Sequence, residues 1–181
     1  MKIRAAAPGD AAAIAAIYEP YVTASATSFE TVAPNQAEMR RRMTEGGDLY
    51  PWFVATDGDG TVSGYAYATR FRPRPAYRFA VETTVYLAPR AKGQGVGRML
   101  YAELLDTLER QGFVHAIAAI TLPNDPSVRL HERMGFERTG TYRAIGHKNG
   151  RWLDVGLWQR PLAPLSEAPV EPTSLSGLQR R

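Results

Sequence analysis

Two spacings of apolar residues alternate along this chain, and each change of spacing marks a new element. The opening run KIRAA (2–6) suits a strand. After Asp10, the apolar positions Ile14, Ile17, Tyr18 and Tyr21 recur at the three- and four-residue steps of an amphipathic helix, with Asp10 placed to cap it. TSFET (27–31) reads as extended or a short strand. Asn35 then opens a second helix through Met39 and Met43, which ends at Gly46-Gly47. PWFVAT (51–56) and TVSGYAYATRF (61–71) flank the tight-turn sequence DGDG and predict a hairpin. RPRPAY (72–77), with two prolines, cannot be regular. RFAVETTVYL (78–87), dense in β-branched and aromatic residues, predicts a buried central strand. A helix follows from about Val96 to Gln111, closed by Gly112, and then a strand, VHAIAAITL (114–122). PNDPSVRLHERMGF (123–136) is a short helix with Pro126 near its first turn and Gly135 at its end. ERTGTYRAIG (137–146) and RWLDVGLWQRPL (151–162) are two strands joined by a turn at HKNG.

This order predicts one α+β domain over residues 1–162, a mixed and mostly antiparallel central sheet flanked by helices. From Ala163 the composition turns to Pro, Ser and Glu with little to bury, so 163–181 is expected to be a disordered or loosely tethered tail. The length of 181 residues suits a single core. No apolar run approaches a membrane span, and Pro8-Gly9-Asp10 interrupts what could otherwise pass for a signal peptide. No membrane partner is expected, and a cytoplasmic location is the default. The absence of cysteine excludes disulfides, a thiolate zinc site and a cysteine nucleophile. With only His115, His131 and His147 as histidines, no metal is expected either. The net charge of +4 favours an anionic ligand. The basic clusters, Arg40-Arg41-Arg42 and RFRPRPAYR, do not make the broad basic and aromatic surface of a nucleic-acid binder, so no nucleic acid is expected.

The residues that raise a chemical question are PRAKGQGVGRMLY (89–101): bare backbone at the mouth of a helix. The first amides of a helix lack intrahelical acceptors and carry the positive end of its dipole, and glycine lets a phosphate approach them. A P-loop would need Gly-Lys-Ser/Thr, which is missing. A dinucleotide fingerprint would need glycine at the sixth position from Gly93, where Arg98 stands, and it would belong to the first strand of a βαβ unit. Glu82 is the other conspicuous residue, a charge in an otherwise apolar strand. Partial burial would raise its pKa and suit it to act as a base; alternatively, it is a strand-end carboxylate paired with Arg78.

Lys92-Gly93-Gln94-Gly95-Val96-Gly97 resembles the pyrophosphate-binding signature of the GNAT superfamily of N-acetyltransferases, with Lys92 in place of the usual Gln or Arg. A second motif, NDPSVRLHERMGF, matches the family at Asn124, Ser127, His131 and Gly135-Phe136, and element order agrees over roughly residues 1–160. The resemblance implies the GNAT fold and acetyl-CoA as co-substrate. It implies that Gly93, Gln94, Gly95, Val96, Gly97 and Arg98 hold the pyrophosphate, and that Asn124 and the amides of Val85, Tyr86 and Leu87 hold the pantetheine arm on a splayed strand. His131 stands where many members carry a tyrosine that protonates the leaving thiolate. It is a second candidate beside Glu82, as base or acid; outside the motif it would read as a histidine on a helix surface.

RPRPAYRFAVETTVYL, LPNDPSVRLHE and the terminal W-x-D-V-G-x-W-Q-R resemble, more narrowly, the phosphinothricin and methionine sulfoximine acetyltransferase group. That resemblance implies a small amino-acid analogue acetylated on its α-amine, and a homodimer. Such an acceptor carries a carboxylate and a tetrahedral head, which Arg72, Arg74 and Tyr77 would engage, arginine forks being suited to both. It also implies Phe29, Thr84 and Val155 as pocket lining. The competing expectations are acetylation of another amine, such as a protein N-terminus or a polyamine, and a non-catalytic acyl-CoA or nucleotide-binding module.

Overall fold

In a computed structural model of the chain, which describes residues 1–178, seven strands form one sheet in the order β1-β2-β3-β4-β5-β7-β6. The strands are β1 (Lys2–Ala5), β2 (Trp52–Thr56), β3 (Val62–Arg70), β4 (Ala80–Leu87), β5 (His115–Leu122), β6 (Glu137–Lys148) and β7 (Arg151–Pro161). Every neighbouring pair is antiparallel except β4 and β5. The helices are α1 (Ala11–Thr23), α2 (Gln36–Glu45), α3 (Val96–Gln111), α4 (Asp125–Arg133) and a short α5 (Leu175–Leu178). No helix among the described residues is long and apolar enough to cross a membrane.

The alternation of side chains along the strands divides the core in two. On one face Phe53, Ala55, Val81, Ala116, Ala118 and Ile120 pack with Leu100, Leu104 and Leu108 of α3. On the other, Trp52, Val54 and Tyr65 pack with Ile14, Ile17 and Val22 of α1 and Met39 of α2. Each such leucine or isoleucine taken fully out of water contributes about 1.5–3 kcal/mol before entropy is counted.

The structure corrects the sequence reading in several places. TSFET forms no strand, because no neighbouring strand is there to pair with; its carbonyls are taken by side chains, Thr27 O by Thr121 and the Ser28 and Glu30 oxygens by Lys148. Asp10 does not cap α1 with its side chain. Its carboxylate is held by Arg4 Nη1 and Nη2, each at 2.7 Å, and by the Ala7 amide at 2.7 Å, which closes the turn before the helix and lowers its pKa. Asn35 does cap α2, accepting from Glu38 N at 2.9 Å. The β6–β7 turn is narrower than HKNG: β6 continues through Lys148, and Asn149-Gly150, both left-handed, make the turn.

Beyond Leu162, the segment expected to be a tail touches the domain at several points. Glu171 binds Arg78 at 2.8 Å, Thr173 N donates to Gln111 O, Gln111 Nε2 donates back to Thr173 O at 2.9 Å, and Leu175 N donates to Asp48 O. Residues 179–181 of that segment lie outside the described residues.

Candidate active site

The parallel pairing of β4 and β5 covers only Ala80/His115, Val81/Ala116 and Glu82/Ile117. Beyond Glu82 the strands part, so β4 is half-buried along its far end rather than fully buried as its composition predicts. Between them lies a cavity of about 50 Å³, lined among others by Thr84, Val85, Tyr86, Thr121, Asn124 and His131. Leu87 turns its backbone away from β3: its carbonyl accepts from the Tyr21 hydroxyl at 2.7 Å, and its amide donates to the same oxygen at 3.4 Å. Backbone groups of an antiparallel strand alternate in direction, so Val85 presents its N–H and C=O to the opening as Leu87 does, while Tyr86 turns its own toward β3. Tyr86 instead contributes its ring, packed on Tyr18 and Tyr21 at 4.8 Å.

At the end of β4 the chain makes a short 3-10 turn (Pro89–Ala91) and enters the glycine loop. Gly93 and Gly95 have φ of 75° and 79°, a region closed to most side chains, and a Cβ on either would meet nothing within 4 Å. Gly95 precedes α3 with no side-chain cap, and the first helical bond runs from Met99 N to Gly95 O. The amides of Val96, Gly97 and Arg98 therefore have no intrahelical acceptor and sit at the positive end of a four-turn helix. Gly97 brings α3 close to α4; a Cβ there would lie 3.1 Å from Leu130 Cδ2. Lys92 stands at the loop with its ammonium 4.8 Å from the Tyr21 ring centre, and Arg98 is exposed. Asn124 caps α4, its Oδ1 accepting from Ser127 N at 3.3 Å, which leaves its amide nitrogen for another partner.

Glu82 lies on β4 at the neck of the opening, on the same face as Thr84 and Tyr86. Its carboxylate has no hydrogen bond or ion pair among the described residues. Burial raises its pKa, and the nearby charge of Arg72 partly offsets that rise. The alternative pairing with Arg78 is not made, because Arg78 grips Glu171 with its Nε at 2.8 and 2.9 Å.

His131 is buried, at 4% exposure, not on the helix surface. Its Nδ1 lies 2.7 Å from Ser127 O, which can only accept, so Nδ1 carries the proton and Nε2 accepts from the Tyr101 hydroxyl at 2.7 Å. Burial lowers the pKa of His131 and raises that of Tyr101. The unfolded chain then takes up a proton at the ordinary 6.5 before the folded chain does, so this residue costs stability as pH falls through 6.5 and below. Thermal melts from about pH 7 to about pH 5 are expected to show a shallower loss of Tm in His131→Gln than in the parent. Equal slopes would mean that His131 protonates in place.

Thr84 sits opposite Tyr67 on the β3–β4 pair and shares its face. Val155 pairs with Thr121 across β5 and β7 and shares its face. Phe29 lies over Gly146 of β6, where a Cβ would overlap its ring. Arg72, Arg74 and Tyr77 are all exposed; the Arg72 guanidinium lies over the Phe71 ring at 5.1 Å and its charge still acts on Glu82, and Tyr77 is edge-on to Phe71 at 5.6 Å. The sequence reading missed Tyr101, whose place in an apolar helical stripe looks like plain core. It also missed a larger cavity of about 690 Å³ between α2 and β3, floored by Trp52, Tyr65 and Tyr67 and walled by Glu38, Arg41 and Arg42. The smaller opening is nonetheless the one bordered by the outward backbone of Val85 and by Asn124 and His131, with Glu82 at the last β4–β5 pair before it.

Similarity to known proteins bears on the same residues. The family model described as the acetyltransferase (GNAT) domain matches residues 3–157. The phosphinothricin N-acetyltransferase of Streptomyces viridochromogenes is 43% identical over 175 residues, covering 96% of this chain and 95% of that protein. The L-methionine sulfoximine/L-methionine sulfone acetyltransferase of Pseudomonas aeruginosa is 38% identical, covering 92% and 98%. The crystal structure of a GNAT superfamily phosphinothricin acetyltransferase from Sinorhizobium meliloti in complex with acetyl-CoA superposes with a TM-score of 0.89 at 40% identity, covering 96% of this chain and 97% of that one. A sheet that opens between two parallel strands beside an uncapped, glycine-led helix, matched over nearly the whole chain by these relatives, places the protein: it belongs to the GNAT family and is an acetyl-CoA-dependent N-acetyltransferase.

Proposed function

We propose that the protein transfers acetyl from acetyl-CoA to the α-amine of a small amino-acid analogue of the phosphinothricin, methionine sulfoximine or methionine sulfone type. The observation that carries this is Glu82, an unpaired carboxylate at the last β4–β5 pair before the strands part, within reach of the charge of Arg72. An ammonium has no lone pair, so a base must take its proton before it attacks; Glu82, its pKa raised by burial, fills that role directly or through a water. The free amine attacks the thioester carbonyl. The oxyanion is met by the outward N–H of Val85, and the C–S bond breaks as CoA leaves and its sulfur takes up a proton. Val85 and Asn124 hold the pantetheine arm, with Tyr86 as a packed wall and Leu87 available to it only where the Tyr21 hydroxyl gives way, and the loop Gly93–Gly97 with Gln94, Val96 and Arg98 holds the pyrophosphate. His131, neutral and bonded at both nitrogens, orients Tyr101 beside the thioester.

On the acceptor side, Arg72, Arg74 and Tyr77 engage the carboxylate and tetrahedral head, and Phe29, Thr84 and Val155 line the pocket. Residues 1–162 carry the activity, in the cytoplasm, as a homodimer. The exposed Tyr142, Ile145 and Trp152 on the β6–β7 hairpin support a self-association surface, and sedimentation at twice the chain mass is the check.

The test is thiol release from acetyl-CoA by the purified protein with phosphinothricin, methionine sulfoximine, methionine sulfone, glutamate, a polyamine and an N-terminal peptide. Release confined to the first three supports the proposal. Release with the peptide or polyamine alone overturns the acceptor and leaves the acetyltransferase.

A further inference from the structure

Lys148, the last residue of β6, is 8% exposed and has no carboxylate on its ammonium. Instead its Nζ donates to three backbone carbonyls, Val22 O at 2.6 Å, Ser28 O at 2.7 Å and Glu30 O at 2.8 Å. Three N–H groups meet three acceptors, so the ammonium is fully satisfied. Val22 lies in the last turn of α1, where carbonyls lack intrahelical partners and the helix dipole favours a cation. The other two carbonyls belong to the residues on either side of Phe29. The connection between α1 and α2 thus curls around one charge, and the backbone of Phe29 is gripped before and after its Cα.

Two further features bear on the same segment. Gly146, two residues before Lys148 on β6, leaves the space that the Phe29 ring fills. Glu30 is fixed separately, its carboxylate accepting from Arg42 at 2.7 and 3.0 Å and from the Tyr18 hydroxyl at 2.8 Å. The ring of Phe29 is consequently set from β6 by a cavity and a cation, while the far end of the segment is set from α1 and α2.

We infer that Lys148 is a positioning residue for the acceptor: by holding the carbonyls on both sides of Phe29 it fixes the wall against which the amino-acid analogue packs. This rests on the proposed role of Phe29 in the acceptor pocket. It assigns Lys148 no contact with acetyl-CoA, whose loop lies at the start of α3.

The test compares parent, Lys148→Met, Phe29→Ala and the double variant, with L-methionine sulfoximine and L-phosphinothricin as acceptors. Charged buried hydrogen bonds of this kind correspond to a rise in acceptor KM of about tenfold or more in Lys148→Met, with kcat within about threefold and the acetyl-CoA Kd, by calorimetry, within about twofold. In the Phe29→Ala background the same change should move KM by less than about twofold, since the two residues act through one wall. Because the chain has no cysteine, Lys148→Cys can be aminoethylated in urea and refolded. This restores an ammonium at nearly the lysine reach, and acceptor KM should return toward the parent's. Should Lys148→Met not fold, Lys148→Arg, which keeps the charge but cannot place three N–H groups on the same carbonyls, gives the same reading. An unchanged KM in a folded variant, or equal loss of acceptor and acetyl-CoA binding, overturns the role of Lys148. If Phe29→Ala leaves KM unchanged, or the parent turns over neither acceptor, the acceptor reading falls first and takes the inference with it.

Discussion

Replacing Glu82 with Gln lowers kcat by about 10²- to 10³-fold, the usual worth of a positioned general base, while acetyl-CoA binds as in the parent. The substitution is nearly isosteric and breaks no hydrogen bond, because the carboxylate makes none among the described residues. Nor should it weaken the fold. Burial raises the pKa of Glu82 above the ordinary 4.5, so the unfolded chain sheds the proton first as pH rises, and the folded chain loses stability through that window. A neutral amide carries no such cost, and Glu82→Gln is expected to melt at or above the parent temperature at neutral pH. The pH profile supplies a second signature: the acid limb of kcat/KM in the parent should lie above 4.5, and it should vanish from the residual activity of the variant. Thiol release, calorimetry with acetyl-CoA and thermal melts check the three parts. A kcat within about threefold of the parent would show that Glu82 is not the base.

The sequence made the scaffold of this site legible, because its signals are local. Glycines at the mouth of a helix, the helix start itself and a charge among β-branched residues can each be read within a dozen positions, and Gly93, Gly95, Val96 and Glu82 lie on the loop, helix start and strand that reading assigned them; the left-handed φ of the glycines and the missing side-chain cap came only with the structure. What escaped it depends on distant parts of the chain. Lys148 finds its carbonyls 118 to 126 residues away, and nothing around HKNG hints at a buried ammonium. Tyr101 reads as one more apolar residue at helical spacing until His131, thirty residues on, turns inward to accept its hydroxyl. The same inward turn is why His131 could not be told from a surface histidine. Arg78 was the nearest cation to Glu82 along the strand, yet it is drawn off by Glu171 from a segment whose composition argued for a disordered or loosely tethered tail. Asp10 carried the right residue type for a helix cap, but an arginine on β1 offered a bidentate partner, and that charge-assisted pair took its place. TSFET had strand composition without a strand neighbour, and composition alone cannot supply one.

Gly95→Val is expected to raise the KM and Kd for acetyl-CoA by about 10- to 100-fold, with kcat at saturation little changed. Two effects combine. At φ 79° a side chain costs about 1–2 kcal/mol, and a β-branched one is least tolerated, so the loop would shift to relieve the strain and carry the amides of Val96, Gly97 and Arg98 off their aim. A Cβ at this position meets nothing within 4 Å in the protein, so there is no clash inside the fold, and the added methyl groups would stand in the open space an anion must enter. The fold should therefore survive, with a loss of stability no greater than the backbone strain. Gly95→Ala separates the two effects, since it bears the strain with little of the bulk and should fall between parent and valine. The signature is the reverse of Glu82→Gln: affinity for the co-substrate is lost while the chemistry, once the site is filled, persists. If acetyl-CoA affinity survives Gly95→Val, the bare amides at the start of α3 are not what holds its phosphates, and the charge must instead be met by side chains, with Lys92 and Arg98 the ones that border the loop.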